Sequence, residues 1–279
     1  MKILILGAQG MAGHMIKRYL SKNTEHEVYG ASRQHGVDNL YLDAESESCR
    51  RSFFNSPLTR DFDFVINCIG VLGPDSNKDV GRTVLLNSWW PHYLEEQYKY
   101  NKTRVIHIST DCIFDGKRGW YIESDIPTET NIYGRSKAMG EINNDKDLTL
   151  RMSIIGTEIK KENRSGLINF VLSNIEDKIF GWEKAVWNGI TTYELAKQIT
   201  NYINNPIISG IYHLVPDHNI TKYHLVSHIN DVFECGKEVI AIPGKEENKS
   251  LIDTRNEYKV FTPIPGYRDQ LLELKEFST

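Results

Sequence analysis

Short apolar runs recur along the chain, separated by stretches whose apolar positions fall three and four apart. The first run, KILIL at residues 2–6, is apolar on consecutive positions, the pattern of a strand covered on both faces of a parallel sheet. EVYGA (27–31), NLYLD (39–43), FDFVINCIG (62–70), RVIHIS (104–109) and LTLRMSIIG (148–156) continue the series. Between them lie HMIKRYL, a long stretch from about residue 75 to residue 100, and the segment around YGRSK, all with helical spacing. Strand and helix in this alternation predict an α/β fold built on a doubly wound, Rossmann-like parallel sheet. After residue 156 the rhythm loosens. SGLINFVLSNIEDKI predicts a helix, and FGWEKAVWNGI follows with two tryptophans. Thr191-Thr-Tyr-Glu194 is a capping-box signature opening a helix through Tyr202. GIYHLV reads as a return to the main sheet, followed by a helix (TKYHLVSHINDVF), a strand (EVIAI) and a last helix after Pro265-Gly266. With no repeat, low-complexity tract or linker, a smaller α/β lobe should interleave with the main one. Residues 1–154 and 190–215 are expected to form the first, and residues 155–189 and 216–279 the second.

Composition narrows the chemistry. The 279 residues are enough for one large α/β domain and a smaller lobe. A hydrophobic share of 40% and a charged share of 25% suit a soluble globular protein. Lys and Arg total 33 against 37 Asp and Glu, so no basic bias points to nucleic acid. No apolar run approaches the ~20 residues of a membrane span, and the N-terminus enters its glycine motif too early for a signal peptide. Cys49, Cys68, Cys112 and Cys235 form no CxxC pair, which fits a reduced cytoplasmic compartment. No metal site is expected: HExxH is absent, and His224 and His228 share helical spacing without a carboxylate or thiol partner.

The first strand runs directly into Gly7-Ala-Gln9-Gly10-Met11-Ala-Gly13 and then a helix. Strand, glycine turn and helix make a phosphate cradle, since glycines allow close backbone approach and the helix N-terminus attracts a pyrophosphate. The second strand delivers Ser32 and Arg33, twenty residues beyond Gly13, where an acid would suit NAD. A hydroxyl and a guanidinium suit a 2′-phosphate, which favours NADPH and leaves NADH open. Asp43 is a candidate for the adenine side. Cys68, Ile69 and Gly70 would lie against the ribose and nicotinamide, with an inert core role the preferred reading of Cys68 itself, and Asn87 would order the site or cap packing.

The stretch from Ser109 to Glu141, STDCIFDGKRGWYIESDIPTETNIYGRSKAMGE, carries the reactive groups. Ser109 and Thr110 emerge from a strand end as hydroxyl donors for a carbonyl oxygen. Tyr133 and Lys137 stand four residues apart, on one face of a helix. A lysine charge ~6 Å away, at an effective dielectric of ~20, favours a phenolate by about 2.8 kcal/mol, which should draw Tyr133 down towards working pH. Such a pair can protonate an alkoxide as a hydride arrives.

GAQGMAG, VINCIG, STDCIFDG, YGRSKAMGE, LRMSIIG and GITTYELA together resemble the extended short-chain dehydrogenase/reductase superfamily, and within it the dTDP-4-dehydrorhamnose reductase family. The resemblance implies that Gly7, Gly10 and Gly13 hold the pyrophosphate, with Ser32 and Arg33 at the adenosine phosphate end. Thr110 would bond the sugar C4 carbonyl, Tyr133 would give its proton, and Lys137 would bind the nicotinamide ribose. The implied reaction is NAD(P)H-dependent reduction of a nucleotide-linked 4-keto-6-deoxyhexose, for deoxysugar and surface polysaccharide biosynthesis. The smaller lobe would hold the nucleotide diphosphate sugar, with Asp111, Trp182, Trp187 and Asn188 as candidates. No nucleic-acid or membrane partner is implied, and a homodimer is left open. Where the family commonly has a run of the NAAAYT kind, this chain has NCIGVLGPDSN, so a UDP-linked 2-acetamido-4-keto-6-deoxyhexose remains an alternative substrate. Cys112 stands where a 4,6-dehydratase needs its second carboxylate, which disfavours dehydration. C4 epimerisation and a non-catalytic, NADP-binding regulatory role also stay open.

Overall fold

The computed structural model describes residues 1–34, 39–158, 166–255 and 260–278. Its main sheet contains, among the described residues, β1 (Lys2–Leu6), β2 (Glu27–Ser32), β3 (Asn39–Tyr41), β4 (Phe64–Asn67), β5 (Arg104–Ile108), β6 (Leu148–Arg151) and the returning strand Gly210–His213. All neighbours pair in parallel, in the order Gly210–His213, β6, β5, β4, β1, β2, β3. The winding direction reverses between β1 and β4, and a crevice therefore opens beyond their carboxyl ends.

Alternate residues of β1 explain why the sheet is covered on both faces. Ile3 and Ile5 pack into one core with Ile16, Leu20 and Tyr202. Leu4 and Leu6 enter the opposite core with Trp90, Leu94 and Tyr98. Helices α1 (Met11–Asn23) and Thr192–Asn204 cover the first face. On the other side lie α2 (Glu47–Asn55), α3 (Val80–Val84) and α4 (Trp90–Tyr98). The expected long helix begins later than residue 75, after a turn at Gly73–Asp75. Between α3 and α4 it widens into a π-turn at Leu85–Trp89, a local expansion often found near functional sites. Helix α5 (Ile132–Met139) carries the YGRSK segment.

The outer lobe is made of short strands. Lys178–Trp182 pairs with Glu238–Ile242, and Ala185–Trp187 lies between Ile220–Thr221 and Glu247–Asn248. Helices Leu167–Ser173, Lys222–Val232 and Tyr267–Ser278 pack with them around Ile168, Ile179, Trp187, Leu225, Ile229 and Leu271. The first of these helices is shorter than expected. Residues 178–182 alternate exposed and buried, so tertiary pairing claims them as a strand. The third sheet strand likewise stops at Tyr41, leaving Asp43 in the following turn. Thr191 does cap its helix by accepting from Glu194 N, but the reciprocal half of the box is supplied by Gln270, which accepts from Thr191 N. No helix among the described residues is long and apolar enough to cross a membrane.

Candidate active site

β1 ends at Leu6, and the chain turns through Gly7 at a φ of +79°, with the Cys68 backbone 3.1 Å from where a Cβ would stand. Gly13 lies in the first turn of α1, where a Cβ would come within 2.3 Å of the Gly7 carbonyl oxygen. Helix and turn can meet this closely only without a side chain. Gly10 occupies the N-cap, flanked by half-buried Gln9 and Met11, with no side-chain cap and no acid in the first turn. The first N–H groups and the positive end of the dipole are therefore available to an anion.

At the end of β2, Ser32 is buried and exchanges hydrogen bonds with the Gln34 backbone. Arg33 points outward and donates to Glu45 Oε1 at 2.9 Å, and Arg82 of α3 donates to the same oxygen at 2.9 Å. Two guanidiniums thus converge on one carboxylate beside the β2 end. Arg82 carried no mark in the sequence. Asp43 accepts from Glu45 N at 3.0 Å and shapes the same turn.

Cys68, Ile69 and Gly70 follow β4. Burial pushes the Cys68 thiol up to about 12, against the nearby Lys137 charge, so it is a neutral wall residue at ordinary pH. Asn87, in the π-turn and fully buried, accepts from Val71 N at 2.7 Å. It donates to Val71 O and Ser136 Oγ at 3.1 Å each, holding this loop against α5. Gly73 of the same loop lies against the Tyr133 ring.

The hydroxyl pair at the end of β5 separates into two roles. Ser109 donates to Glu141 Oε1 at 2.6 Å. Glu141 is also gripped by Arg151 through two bonds of 2.8 and 2.7 Å, with both side chains 4% exposed. Ser109 is therefore spent on structure. Thr110 caps the turn Asp111–Ile113 by accepting from Cys112 N, donates to Asp111 Oδ1 at 3.2 Å, and faces the Tyr133 phenol. Helix α5 can come this close because residue 134 is glycine: a Cβ there would lie 2.3 Å from the Cys112 carbonyl oxygen.

Tyr133 and Lys137 share a face of α5, yet their electrostatics differ from expectation. Burial pushes the Tyr133 phenol up, Cys112 and Asp111 add to the shift, and the Thr110 hydroxyl opposes it. The lysine does not pull the phenol down. Its Nζ instead donates to Ile108 O at 2.7 Å and lies 3.5 Å from His107 Nε2. Burial lowers Lys137 to about 8, with Glu141 and Cys68 opposing. A phenol that keeps its proton is in the state needed to donate one.

The outer lobe adds two cations that sequence reading missed. Lys222 opens the helix Lys222–Val232 with its Nζ 5.1 Å from the Trp187 ring, and Asp111 is the charge that most favours its ammonium. Lys249, paired with Glu129 at 3.2 Å, also faces Asp111. Burial raises the Asp111 carboxyl, and both lysines oppose that shift. Among the described residues Lys222 has no hydrogen-bond or ion-pair partner, and Trp187 Nε1 is buried without one. Asn188 is committed to the Leu251 backbone through bonds of 2.7 and 3.1 Å. Trp182 packs on Gly244 and is 43% exposed. Of the outer-lobe candidates, then, Trp187 lies beside Lys222, Asn188 is bonded to the Leu251 backbone, and Trp182 is partly exposed. No group of three or more His, Cys, Asp or Glu among the described residues could hold a metal ion.

Comparison with known proteins gives the chain a family and a fold. The model of the family described as the RmlD substrate binding domain matches residues 1–260. A dTDP-4-dehydrorhamnose reductase of Aggregatibacter actinomycetemcomitans is 26% identical over 253 residues, covering 87% of this chain and 82% of its own. The methionine adenosyltransferase 2 subunit beta of Xenopus tropicalis is 25% identical over 248 residues, covering 83% and 72%. The crystal structure of a dTDP-4-dehydrorhamnose reductase from Bacillus anthracis in complex with NADP superposes with a TM-score of 0.84 at 18% identity, covering 100% of this chain and 99% of that one.

Proposed function

Because the chain belongs to the RmlD substrate binding domain family, an extended short-chain dehydrogenase/reductase-like group, we propose that it reduces the C4 ketone of a nucleotide-linked 4-keto-6-deoxyhexose with NADPH. The observation that carries this reading is the convergence of the protonated Tyr133 phenol, the Thr110 hydroxyl and the Lys137 amine beside the glycine cradle. The cradle fits a dinucleotide: the contacts of Gly7 and Gly13 leave no room for side chains, and the α1 N-terminus has no protein cap. Gly7, Gly10 and Gly13 would hold the pyrophosphate, and Arg33 and Arg82 the 2′-phosphate. Lys137 would take the nicotinamide ribose, with Cys68 to Gly70 as the wall. When bound, NADPH supplies the hydride that reaches the sugar C4.

Thr110 then bonds the ketone oxygen, and Tyr133 delivers its proton to that oxygen as it becomes an alkoxide, leaving an alcohol. General-acid assistance of this kind contributes ~10²–10⁴-fold. Residues 1–154 with 190–215 act as the dinucleotide domain, and residues 155–189 with 216–279 as the sugar-nucleotide lobe. Lys222, near Asp111, is the cation this lobe offers to an anionic substrate. A thymidine-linked sugar is the first choice, and a uridine-linked 2-acetamido sugar the second.

The likeness to the beta subunit of methionine adenosyltransferase 2 favours one competing reading, a dinucleotide-binding regulatory subunit without turnover. The test is a panel of dTDP-, UDP- and GDP-linked 4-keto-6-deoxy sugars, each assayed with NADPH and NADH. Oxidation of NADPH with at least one sugar is expected. Tight NADPH binding with no oxidation on any of them would support the regulatory reading instead.

A further inference from the structure

Lys137 rests on a line of buried side chains that the reaction scheme does not use. Asn67 and His107, neighbours in the β4–β5 register, are both fully buried within the sheet. Trp90 Nε1 and Ile69 N both donate to the same Asn67 atom, at 3.1 and 3.2 Å, so that atom is the carbonyl oxygen. The opposite end of the amide must then be the NH₂ group, and it lies 3.0 Å from His107 Nδ1. An amide NH₂ can only donate, so His107 Nδ1 accepts. Burial holds His107 well below its ordinary pKa, assisted by Lys137 and His92, and the ring is neutral. Its single proton therefore sits on Nε2, aimed at the Lys137 amine 3.5 Å away.

We infer that His107 is a positioning residue for Lys137, held as the Nε2–H tautomer by Trp90 through Asn67. This rests on the reading of Lys137 as the ribose-binding lysine. An N–H directed at an ammonium repels it, and directed at a neutral amine it donates to the lone pair. The line thus biases Lys137 away from the ammonium while Ile108 O fixes where the nitrogen sits. Among the described residues, the other titratable groups near the lysine are Cys68 at the end of β4, Tyr133 on the same face of α5, and Glu141 beyond α5, whose charge Arg151 offsets. Burial alone would disfavour the charge from all sides. The tautomer adds a direction, leaving the outward protons for the ligand.

The test needs no cofactor, so its result is independent of whether NADPH or any sugar binds. In protein labelled with ¹⁵N-histidine, with the His107 signals assigned by their loss in His107→Gln, Nδ1 should read as unprotonated and Nε2 as protonated. In protein labelled at lysine ¹³Cε, the Lys137 titration should move upward in Asn67→Asp. That carboxylate would accept from Nδ1–H and turn the Nε2 lone pair towards the lysine, its charge adding to the same rise, which the neutral His107→Gln lacks. The midpoint should rise by about one pH unit or more, the scale of a hydrogen bond to a charged group. His107→Gln, able to present a carbonyl oxygen, should shift it the same way. A proton found on Nδ1 in the unmutated protein, or an unmoved midpoint in either folded variant, would overturn the assignment.

Discussion

The two walls of the crevice are built differently. On the main-sheet side the polar groups around the reactive lysine are already satisfied: Asn67, His107, Asn87, Ser136, Ser109 and Glu141 each have partners within the protein. On the outer-lobe side Lys222 stands over Trp187 without a hydrogen-bond partner among the described residues, and the Trp187 N–H is buried unpaired. The contrast separates a wall whose polar groups are satisfied within the protein from one where a cation and an indole N–H are not. Preorganised donors near reacting atoms accelerate chemistry, whereas buried groups without a partner gain one only when a ligand supplies it.

The largest test of that contrast falls on the satisfied wall. Glu141→Gln sets an NH₂ group against Arg151 in place of one carboxylate oxygen and leaves that charge uncompensated in the interior, and should cost about 3–5 kcal/mol of stability. Urea unfolding measures it, and a loss below about 1 kcal/mol would mean that this wall is less tightly built than the distances indicate. Gly134→Ala should cost about 1–3 kcal/mol by overpacking α5 against the Thr110 turn. Its activity should fall further than its stability explains, because Thr110 and Tyr133 separate. Equal activity at the temperature where the variant is fully folded would sink that reading.

On the opposite wall, Lys222→Met should raise KM for a sugar nucleotide roughly tenfold, the scale of one hydrogen bond to a charged group. Stability should change little or rise, since a mostly buried ammonium is removed. A fall in kcat with unchanged KM would place Lys222 in the chemistry instead. The smallest expected effect is a slope. Lys137 has a folded value near 8, below its ordinary 10.5, so between about pH 8 and 10.5 the unfolded chain binds more protons. Stability contributed at this site should therefore rise with pH across that window. Lys137→Met should be more stable than the parent at pH 7, with the gap narrowing as pH approaches 10.5.

How far these features could be read beforehand follows from their range along the chain. The main sheet was legible because ILIL, FVIN, RVIHI and LTLR are continuous buried runs, and the cradle because its three glycines lie within seven residues. That Thr110, Tyr133 and Lys137 come together follows from their motif, which sets one at a strand end and two on a helix face. The direction of the Tyr133 shift was not legible, since it depends on what encloses the phenol and on Lys137 turning to Ile108 O. Asn67 and His107 did leave a signal: a polar residue inside an apolar strand must find a partner. Which partner, forty residues away, was hidden. Lys222 and Arg82 were invisible for the same reason, each brought in by a segment remote in sequence from the site. The strand at residues 178–182 emerges only through its pairing with Glu238–Ile242.

Isotope tracing distinguishes hydride transfer to a sugar ketone, with proton delivery from Tyr133, from dinucleotide binding without turnover. Purified protein would be given NADPH deuterated at the nicotinamide C4 with a nucleotide-linked 4-keto-6-deoxy sugar, beside Tyr133→Phe. Deuterium is expected at the sugar C4 of the alcohol product, with loss of that product in the variant while NADPH still binds. Deuterium absent from every sugar tried despite bound NADPH, or full turnover by Tyr133→Phe, would contradict the proposed reduction.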